Sequence, residues 1–441
     1  MSFEKSAEIP GVTYLKSSLG IAEGSAGSTE TIVRGMLERI AADGEGAVRD
    51  YADQLDRWSG DIVVSRTEID AAAAHVTPAL KEAIRYAHEN IKCFAEAQRA
   101  SATDIEVEIR PGLVAGQRQI PVNAAGCYVP GGRYAHIASA LMTITTARAA
   151  GVPNVIACSP PRPGQGIPAE ILFAMDLAGA DRILNLGGVQ GVAAMAQGLF
   201  GCAPADILVG PGNQFVAEAK RQLFGPVGID MFAGPTDSLV IADATADPRT
   251  VAWDLAGQAE HGYNSPVWLV TDDRVLAEEV LRLVPVCIAS LPELNRDQAR
   301  AAWDALGEVI LCADRGEMAR VANTYAPEHL HVQAADLAWW RGHLSAYGSL
   351  FLGEHTTVAF GDKAAGPNHV LPTSRAARYT GGLSAHKFLK TVTWQRVAPE
   401  AVGDLARATA AISRAEGMEG HARTADIRLE KLQAQDTRRA M

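Results

Sequence analysis

Four short apolar segments, each ending in glycine or proline and each followed by a helical stretch, lie between residues 120 and 225 of the 441-residue chain. They are AAGCYVPGG, NVIACSPP, RILNLGG and DILVGPGN. Because successive strand-turn-helix units pair as parallel strands covered by helices, this series predicts an α/β fold. A second series, beginning with DSLVIADAT and VWLVTDD, predicts a second α/β lobe. We expect a ligand in the cleft between the two lobes.

The flanking segments have other patterns. Apolar residues recur at helical spacing over residues 29–58 and 68–97, which predicts packing helices without chemistry of their own. Residues 327–373 are rich in glycine, histidine and proline, which predicts long functional loops. From residue 399 the pattern is again helical, and the chain ends in a charged segment.

Composition excludes several classes of protein. Hydrophobic residues make up 48% and charged residues 21%, as in ordinary soluble globular proteins. The 40 Lys and Arg against 51 Asp and Glu give a net charge of −11, which would repel a nucleic-acid backbone. No apolar run reaches the roughly 18 residues of a membrane helix. The start, MSFEKSAEIPG, lacks the basic and apolar regions of a signal peptide, so we expect a cytoplasmic protein.

Six cysteines are scattered along the chain without a C-x-x-C pair. In a chain of this size that pattern favours reduced, buried thiols over a disulfide framework or a cysteine metal site. Any metal would therefore be held by histidine and oxygen ligands.

Two residue pairs have spacings suited to metal binding or proton transfer. Gln258 and His261 are three positions apart, so on one helix both can offer ligands to one ion. Glu328 and His329 place an acid beside an imidazole, which suits proton transfer. Taken alone, a pair like the first more often consists of two polar side chains exposed to solvent, and a pair like the second more often consists of a carboxylate at a helix start beside a buried histidine. Both alternatives stay open at this point.

Two further pairs are less specific. Asp362 and His369 lie in the glycine-flanked sequence GDKAAGPNH, where the backbone can approach a ligand closely, although such residues more often only form turns. Glu416 and His421 belong to the C-terminal helical segment, where a solvated face is the ordinary explanation. The residues by themselves indicate at most an oxygen-and-imidazole metal site.

Two turns are candidates for binding a nucleotide. LGGVQG and VGPGN each follow an apolar strand and open a helix, so their backbone amides can face a phosphate. Neither is a full G-x-G-x-x-G, and neither is followed by an acidic residue about 20 positions later after a strand. The turns indicate a ligand site more strongly than they indicate NAD.

Seven motifs follow one another as they do in a known enzyme family. They are YVPGG, GPGN, IDMFAGPTD, QAEHG, APEHL, NHVLPT and RAEGMEGHA. On these motifs the chain resembles the histidinol dehydrogenase family over nearly its full length. The resemblance implies an α/β fold of two incomplete Rossmann-like lobes with parallel sheets, plus small helical N- and C-terminal elements. It also implies a zinc- and NAD-dependent enzyme that oxidises a primary alcohol through an aldehyde to a carboxylate, with two NAD consumed.

The resemblance further implies roles for individual residues. One zinc ion per subunit would be bound by Gln258, His261, Asp362 and His421. His421 would come from the other subunit of a homodimer with shared active sites. The acid-base pair would be Glu328 and His329; the NAD contacts would be Tyr128, Gln190 and Asn213; and the substrate contacts would be Thr236, His369 and Glu416.

The domain organisation that this family implies has four parts. Residues 24–127 and 236–383 would form a large α/β domain, and residues 128–235 a second Rossmann-like domain. Residues 1–23 and 384–400 would form a small connecting and dimerisation domain. Residues 401–441 would form a helical domain that reaches the partner subunit.

The chain departs from the family around the expected pocket. Where the family has G-P-S-E, this chain has G-P-T-D, which keeps a hydroxyl at Thr236 and shortens the carboxylate by one methylene at Asp237. Basic residues that are unusual in the family are Arg133, His136, Lys363, His386 and Lys387. Histidinol is a cation, so these residues would repel it and would attract an anionic group. We expect Arg133, His136 and Lys363 to be substrate contacts.

This pattern resembles the branch of the family that oxidises (R)-2,3-dihydroxypropane-1-sulfonate, called sulfopropanediol, to sulfolactate. Two alternatives stay open. The first is oxidation of L-histidinol, in which case the basic residues are neutral surface substitutions that do not contact the substrate. The second is a catalytically silent binding or assembly protein, against which the retention of all four zinc-ligand types and of the Glu328–His329 pair argues.

Overall fold

The structure, a computed structural model, describes residues 9–20, 26–131, 136–231 and 234–439. Arg133, one of the expected substrate contacts, lies outside the described residues. The described strands are β1 (Thr13–Lys16), β2 (Ile105–Arg110), β3 (Leu113–Pro121), β4 (Ala124–Tyr128), β5 (Asn154–Ser159), β6 (Arg182–Asn185), β7 (Ile207–Val209), β8 (Gly228–Ile229), β9 (Ser238–Ala242), β10 (Val267–Thr271), β11 (Glu308–Leu311), β12 (His329–Gln333), β13 (Ser349–Leu352) and β14 (Leu389–Val397).

The described helices lie between these strands and at the two ends of the chain. They are α1 (Ala26–Asp43), α2 (Glu45–Tyr51), α3 (Arg66–His75), α4 (Pro78–Ser101), α5 (Ile137–Ala150), α6 (Ala169–Ala178), α7 (Gly188–Gln197), α8 (Gln214–Leu223), α9 (Pro248–Ala259), α10 (Arg274–Ala289), α11 (Glu293–Leu306), α12 (Arg315–Tyr325), α13 (Leu337–His343), α14 (Val358–Lys363), α15 (Pro399–Ala415) and α16 (Glu419–Arg439). None of the helices within the described ranges is long and apolar enough to cross a membrane.

The four strand-turn-helix units predicted from the sequence form one parallel sheet. Its strand order is β6-β5-β4-β7-β8, and helices α5 to α8 connect its strands. Every residue of β4 is buried, because helices cover both faces of a parallel sheet. The strand order reverses between β4 and β7, and the carboxyl ends of such neighbouring strands are where open α/β sheets bind ligands.

A second sheet is formed by the later series, also as predicted. Its order is β1-β11-β10-β9-β12-β13, with all pairs parallel except β1 with β11. The chain is therefore a mixed α/β protein with two parallel or mostly parallel sheets. The expectation of long loops over residues 327–373 is wrong, since β12, α13, β13 and α14 fall there. Alternating apolar residues such as Leu330 and Val332 are fully buried in β12, so they hold this segment in the sheet.

The chain divides into two compact units. The main unit contains the residues up to Arg99 and Val122–Phe388, and the small unit contains Ala100–Pro121 and the chain from Leu389 onward. This division differs from the expected domains for residues 100–121. They form the hairpin β2–β3, and β3 pairs antiparallel with β14 from Leu113 to Pro121, which joins them to the C-terminal segment.

The small unit has a thin core. Helices α15 and α16 pack through alanines, namely Ala406, Ala410, Ala422 and Ala425. In β2 all six residues are exposed, including Ile105, Val107 and Ile109 on one face. Alanine side chains bury little apolar area, so this unit keeps much of its apolar surface in contact with solvent.

Candidate active site

A group of buried polar residues lies at the amino ends of β9 and β12. Thr236 and Asp237 precede β9, Glu328 precedes β12, and His329 is the first residue of β12. The parallel register pairs His329 with Ser238, which brings these two segments side by side. The group therefore lies at the opposite strand ends from those that usually bind ligands in an α/β sheet.

The Glu328 carboxylate is held by the segment before β9. The Thr236 hydroxyl donates a short hydrogen bond to Glu328 Oε2, and the Asp237 backbone N–H donates to the same oxygen at 3.2 Å. In return, the Glu328 N–H donates to Asp237 Oδ1 at 2.6 Å. Burial raises the pKa of Glu328, and burial together with the Glu328 charge raises the pKa of Asp237 to about 7.

The His329 imidazole lies between this pair and Asp362. Its Nδ1 is 3.2 Å from the Asp237 carbonyl oxygen, and its Nε2 is 3.4 Å from Asp362 Oδ1. Burial alone would lower the pKa of His329, but the carboxylates of Glu328 and Asp362 raise it to about 9. The pKa of Asp362 is shifted as well. Burial alone would raise it, but the neighbouring His329 imidazole lowers it to about 2. This histidine therefore holds a proton firmly next to two carboxylates.

Three of the predicted zinc ligands lie in or directly after α9 and α14. Asp362 is buried in α14, a helix where the sequence suggested a loop. His261 lies two residues beyond the end of α9, in a turn in which its N–H donates to the Gln258 carbonyl oxygen. The expectation that one helix carries both residues is therefore wrong. His261 Nε2 is 3.9 Å from Asp362 Oδ2. The side-chain oxygen of Gln258 is buried without a hydrogen-bond partner among the described residues.

These donors fit a zinc ion, although no cluster of three or more His, Cys, Asp or Glu side chains in the described ranges is arranged as a metal site. A buried amide oxygen without a partner costs free energy, which a cation beside it would recover. With His261 and Asp362 it supplies the oxygen and nitrogen ligands that catalytic zinc uses.

A hydrogen-bond network that the sequence did not reveal connects α9 to α14. Thr357 caps α14, and its hydroxyl donates to Asp254 Oδ1 of α9 at 2.8 Å. Asp254 Oδ2 also accepts from Gln333 at 2.7 Å and lies 3.4 Å from Nδ1 of His331. In the sequence, Asp254 and Gln258 are four positions apart, which places both on one face of α9.

His369 and two basic groups lie beside the predicted ligands. His369 Nδ1 is 2.9 Å from the Asp362 carbonyl oxygen, and its Nε2 is 3.2 Å from Oγ of Ser139 on α5. Burial lowers the pKa of His369 to about 4, so the ring is neutral at neutral pH. Burial and the nearby charges of Lys363 and His261 lower the pKa of His136. His136 directly precedes α5, the helix that carries Ser139, and Lys363 follows Asp362 in α14.

Two other predicted residues belong to the small unit, and two more to a short turn of the main unit. Glu416 follows the end of α15, His421 lies in α16, and both side chains are exposed. The expectation that a single C-terminal helix carries both residues is therefore wrong. His386 and Lys387 lie in the short helical turn Ala385–Phe388.

The three predicted NAD contacts lie at the carboxyl edge of the first sheet. The Tyr128 hydroxyl, at the end of β4, accepts from the Gly188 N–H at 3.1 Å. Asn213 begins α8, and its Oδ1 accepts from the backbone N–H groups of residues 215 and 216. Gln190 is buried in α7 and donates to Asp56 Oδ2 at 2.9 Å.

Asp56 was missed in the sequence because its contacts lie far along the chain. Its carboxylate also accepts from the Gly187 N–H at 2.9 Å, so it covers the amino end of α7. Beside it, a cavity of about 470 Å³ is lined by Asp56, Arg57, Gly131 and Arg162, with prolines and other apolar residues. The Asp56 carboxylate thus occupies the LGGVQG turn, where a phosphate would otherwise bind. The VGPGN turn is therefore the better candidate for binding a phosphate.

Comparison with known proteins identifies the family of the chain. The sequence profile of the family described as histidinol dehydrogenase matches residues 22–429. A protein of Ruegeria pomeroyi named histidinol dehydrogenase homolog is 74% identical over 96% of this chain and 97% of its own length. A second protein of Ruegeria pomeroyi, named sulfopropanediol 3-dehydrogenase, is 60% identical over 95% of this chain and 97% of its own length.

A solved structure agrees in fold. The crystal structure of histidinol dehydrogenase from Elizabethkingia anophelis has a TM-score of 0.88 and 34% identity, and the match covers 94% of each chain. The fold and site are thus those of an α/β oxidoreductase. The chain belongs to the histidinol dehydrogenase family.

Proposed function

We propose that the protein oxidises a primary alcohol through an aldehyde to a carboxylate, with NAD as the oxidant. The observation that carries this proposal is the buried Glu328–His329 pair, which is fixed between Thr236 and Asp362. A buried acid and an adjacent imidazole with shifted pKa values are typical of proton-transfer catalysis. Membership in a family of dehydrogenases supports the reaction class.

The two residues would act in different steps. In the first step the hydroxyl gives its proton to the unprotonated form of the His329 imidazole, and the carbinol carbon gives a hydride to NAD. In the second step Glu328 takes a proton from the water that attacks the aldehyde carbon, and the resulting hydrate gives a second hydride to a second NAD. Burial favours this proton uptake, since it raises the pKa of Glu328.

We also propose that Gln258, His261 and Asp362 hold a zinc ion, with His421 of a second subunit as the fourth ligand. The buried, unpartnered oxygen of Gln258 supports this ligand set. Zinc there would polarise the substrate oxygen as a Lewis acid. His369 is neutral, and its Nε2 lies beside Ser139. It would offer the substrate a hydrogen bond without a charge.

We infer that the substrate carries a negative charge and is sulfopropanediol. Lys363 directly follows the proposed ligand Asp362 in α14, and its positive charge would favour a sulfonate and disfavour the ammonium of histidinol. A 60% identical relative with the printed name sulfopropanediol 3-dehydrogenase supports the same choice. Oxidation of L-histidinol is the second candidate, and the fold similarity to a histidinol dehydrogenase structure favours it.

A substrate panel tests the proposed reaction. The purified protein is assayed for NADH formation with sulfopropanediol, L-histidinol and a neutral diol, and its zinc content is measured. We expect turnover of the sulfonate and little turnover of histidinol. Normal histidinol oxidation without sulfonate turnover would select the second candidate, whereas no NADH with any alcohol would indicate a catalytically silent binding protein.

Lys363→Ala should weaken binding of the sulfonate specifically. A charge-assisted contact is worth about 1.5–3 kcal/mol, so the KM for sulfopropanediol should rise roughly tenfold or more. Zinc content should not change, because Lys363 is outside the ligand set. Lys81→Ala is the control, since Lys81 lies over the Phe173 ring on another part of the main unit. An unchanged KM would remove Lys363 from the substrate site.

We further propose that the small unit joins two copies of the chain. Its alanine core is thin, and it exposes Ile105, Val107 and Ile109 on β2 together with Leu405 and Ile412 on α15. Apolar surface of this kind is covered in stable homodimers, whose interfaces are largely apolar.

Val107→Glu should therefore produce monomers and reduce activity, because it puts a charge on that apolar face. Sedimentation or light scattering measures the change. Glu108→Gln is the control on the opposite face of the same strand. A variant that stays dimeric with full activity would place the subunit interface elsewhere.

A further inference from the structure

One charged pair in the main unit is fully buried and takes no part in the site described above. Lys220 of α8 pairs with Asp230, which follows β8, and their side chains are only 4% and 0% exposed. Lysine and aspartate are rarely buried so completely. Replacing a buried ion pair by apolar residues is often neutral or stabilising, so stability alone does not explain these two charges.

Both charged side chains form hydrogen bonds with the backbone of a single residue, Gly210. Asp230 Oδ2 accepts from the Gly210 N–H at 2.7 Å, and Lys220 Nζ donates to the Gly210 carbonyl oxygen at 3.0 Å. Asp230 Oδ1 accepts from Lys220 and from the Met231 N–H. The ion pair therefore holds both polar backbone groups of one residue.

Gly210 needs such support because its position is constrained. It has φ +112°, and a Cβ added there would lie 2.0 Å from the Tyr128 carbonyl oxygen. No residue except glycine fits this conformation against β4. Gly210 directly follows β7 within the VGPGN turn, so it fixes how that turn crosses between the carboxyl ends of β4 and β7.

The turn leads directly to Asn213 and the amino end of α8. Asn213 Oδ1 caps the helix through the N–H groups of Phe215 and Val216. Between β4 and β7 the strand order reverses, and an adjacent helix amino end attracts phosphate groups. Lys220, in the second turn of α8, thus ties the body of that helix back to the turn that precedes it.

We propose that the Lys220–Asp230 pair is a positioning element for the NAD site, which sets the VGPGN turn and the amino end of α8 for the dinucleotide. This inference rests on the proposed function, because NAD binding at this edge is part of it. Neither residue touches the reacting atoms in this proposal. Their effect should appear in dinucleotide affinity and not in zinc content or alcohol affinity.

The double variant Lys220→Met/Asp230→Asn tests the proposal. It removes both charges together and keeps side chains of similar volume, so no unpaired charge remains buried. The Kd for NAD, measured by titration calorimetry, should rise roughly tenfold or more, as expected when a binding group is misplaced. Zinc content and the KM for the alcohol at saturating NAD should stay at parental values.

The matched control lies at the opposite edge of the same sheet. Arg148 and Asp181 also form an ion pair, at 2.5 Å, and Asp181 accepts from the Val155 N–H at the start of β5. Arg148→Met/Asp181→Asn should leave the Kd for NAD unchanged. Lys220→Arg serves if the first double variant does not fold, since it keeps the charge but puts a planar group where an ammonium fits, and it should also raise the Kd.

A folded Lys220→Met/Asp230→Asn protein that binds NAD with parental affinity would overturn the positioning role. So would an equal rise in Kd for the control variant, because that would reflect general loosening of the sheet. If the parental protein binds no NAD at all, the proposed function itself fails, and this result is separate from the comparison between variants.

Discussion

Replacing His261 by alanine is expected to remove bound zinc and to abolish NADH formation. His261 Nε2 lies 3.9 Å from Asp362 Oδ2, and the buried oxygen of Gln258 has no other partner among the described residues. Lewis-acid activation is worth several kcal/mol, so the rate should fall roughly a thousandfold or more. Elemental analysis and the NADH assay measure the two effects.

His75→Ala is the control for this variant, because His75 is an exposed imidazole at the end of α3. It should keep both zinc and activity. A His261→Ala protein with one zinc per chain and parental activity would contradict the ligand set.

The same variant tests whether the site is shared between subunits. His421→Ala should also be inactive. In a mixed dimer of His261→Ala and His421→Ala chains, one of the two sites has all four ligands. Random mixing of equal amounts makes half of the dimers mixed, so roughly a quarter of parental activity should return. No recovery in verified mixed dimers would count against a ligand from the partner.

The α/β fold could be predicted from the sequence because its signals are local. Four of the five strands of the first sheet are short apolar runs followed by glycine or proline, and a helix begins within ten residues of the end of each. The hairpin β2–β3 was missed although IEVEIR alternates apolar and charged residues as strands do. Its long-range pairing with β14, from Leu113 to Pro121, left no local signal.

The site could be predicted only in part, for a related reason. Glu328 and His329 are adjacent in sequence, so their pairing was visible. Their contacts with Thr236 and Asp237, about ninety positions away, depend on the parallel register of β9 and β12. Neither that register nor the burial of Lys220 against Asp230 follows from composition or spacing. Long-range register is set by the packing of whole sheets, which no single motif encodes.

Glu328→Gln should slow oxidation of the aldehyde much more than oxidation of the alcohol. Glutamine keeps the shape and one oxygen for the Thr236 hydroxyl and the Asp237 N–H, but it cannot take a proton from water. Loss of a general base costs about a hundredfold to ten-thousandfold. Rates are measured separately with the alcohol and with its aldehyde.

The pH dependence gives a second readout of the same variant. A carboxylate acts as a base only when ionised, and burial raises the pKa of Glu328. The aldehyde step of the parental enzyme should therefore slow as the pH falls through that raised pKa, and Glu328→Gln should lack this dependence. His329→Gln is the comparison, since it should slow the alcohol step instead. Equal losses on alcohol and aldehyde in both variants would leave no separate roles for the two residues.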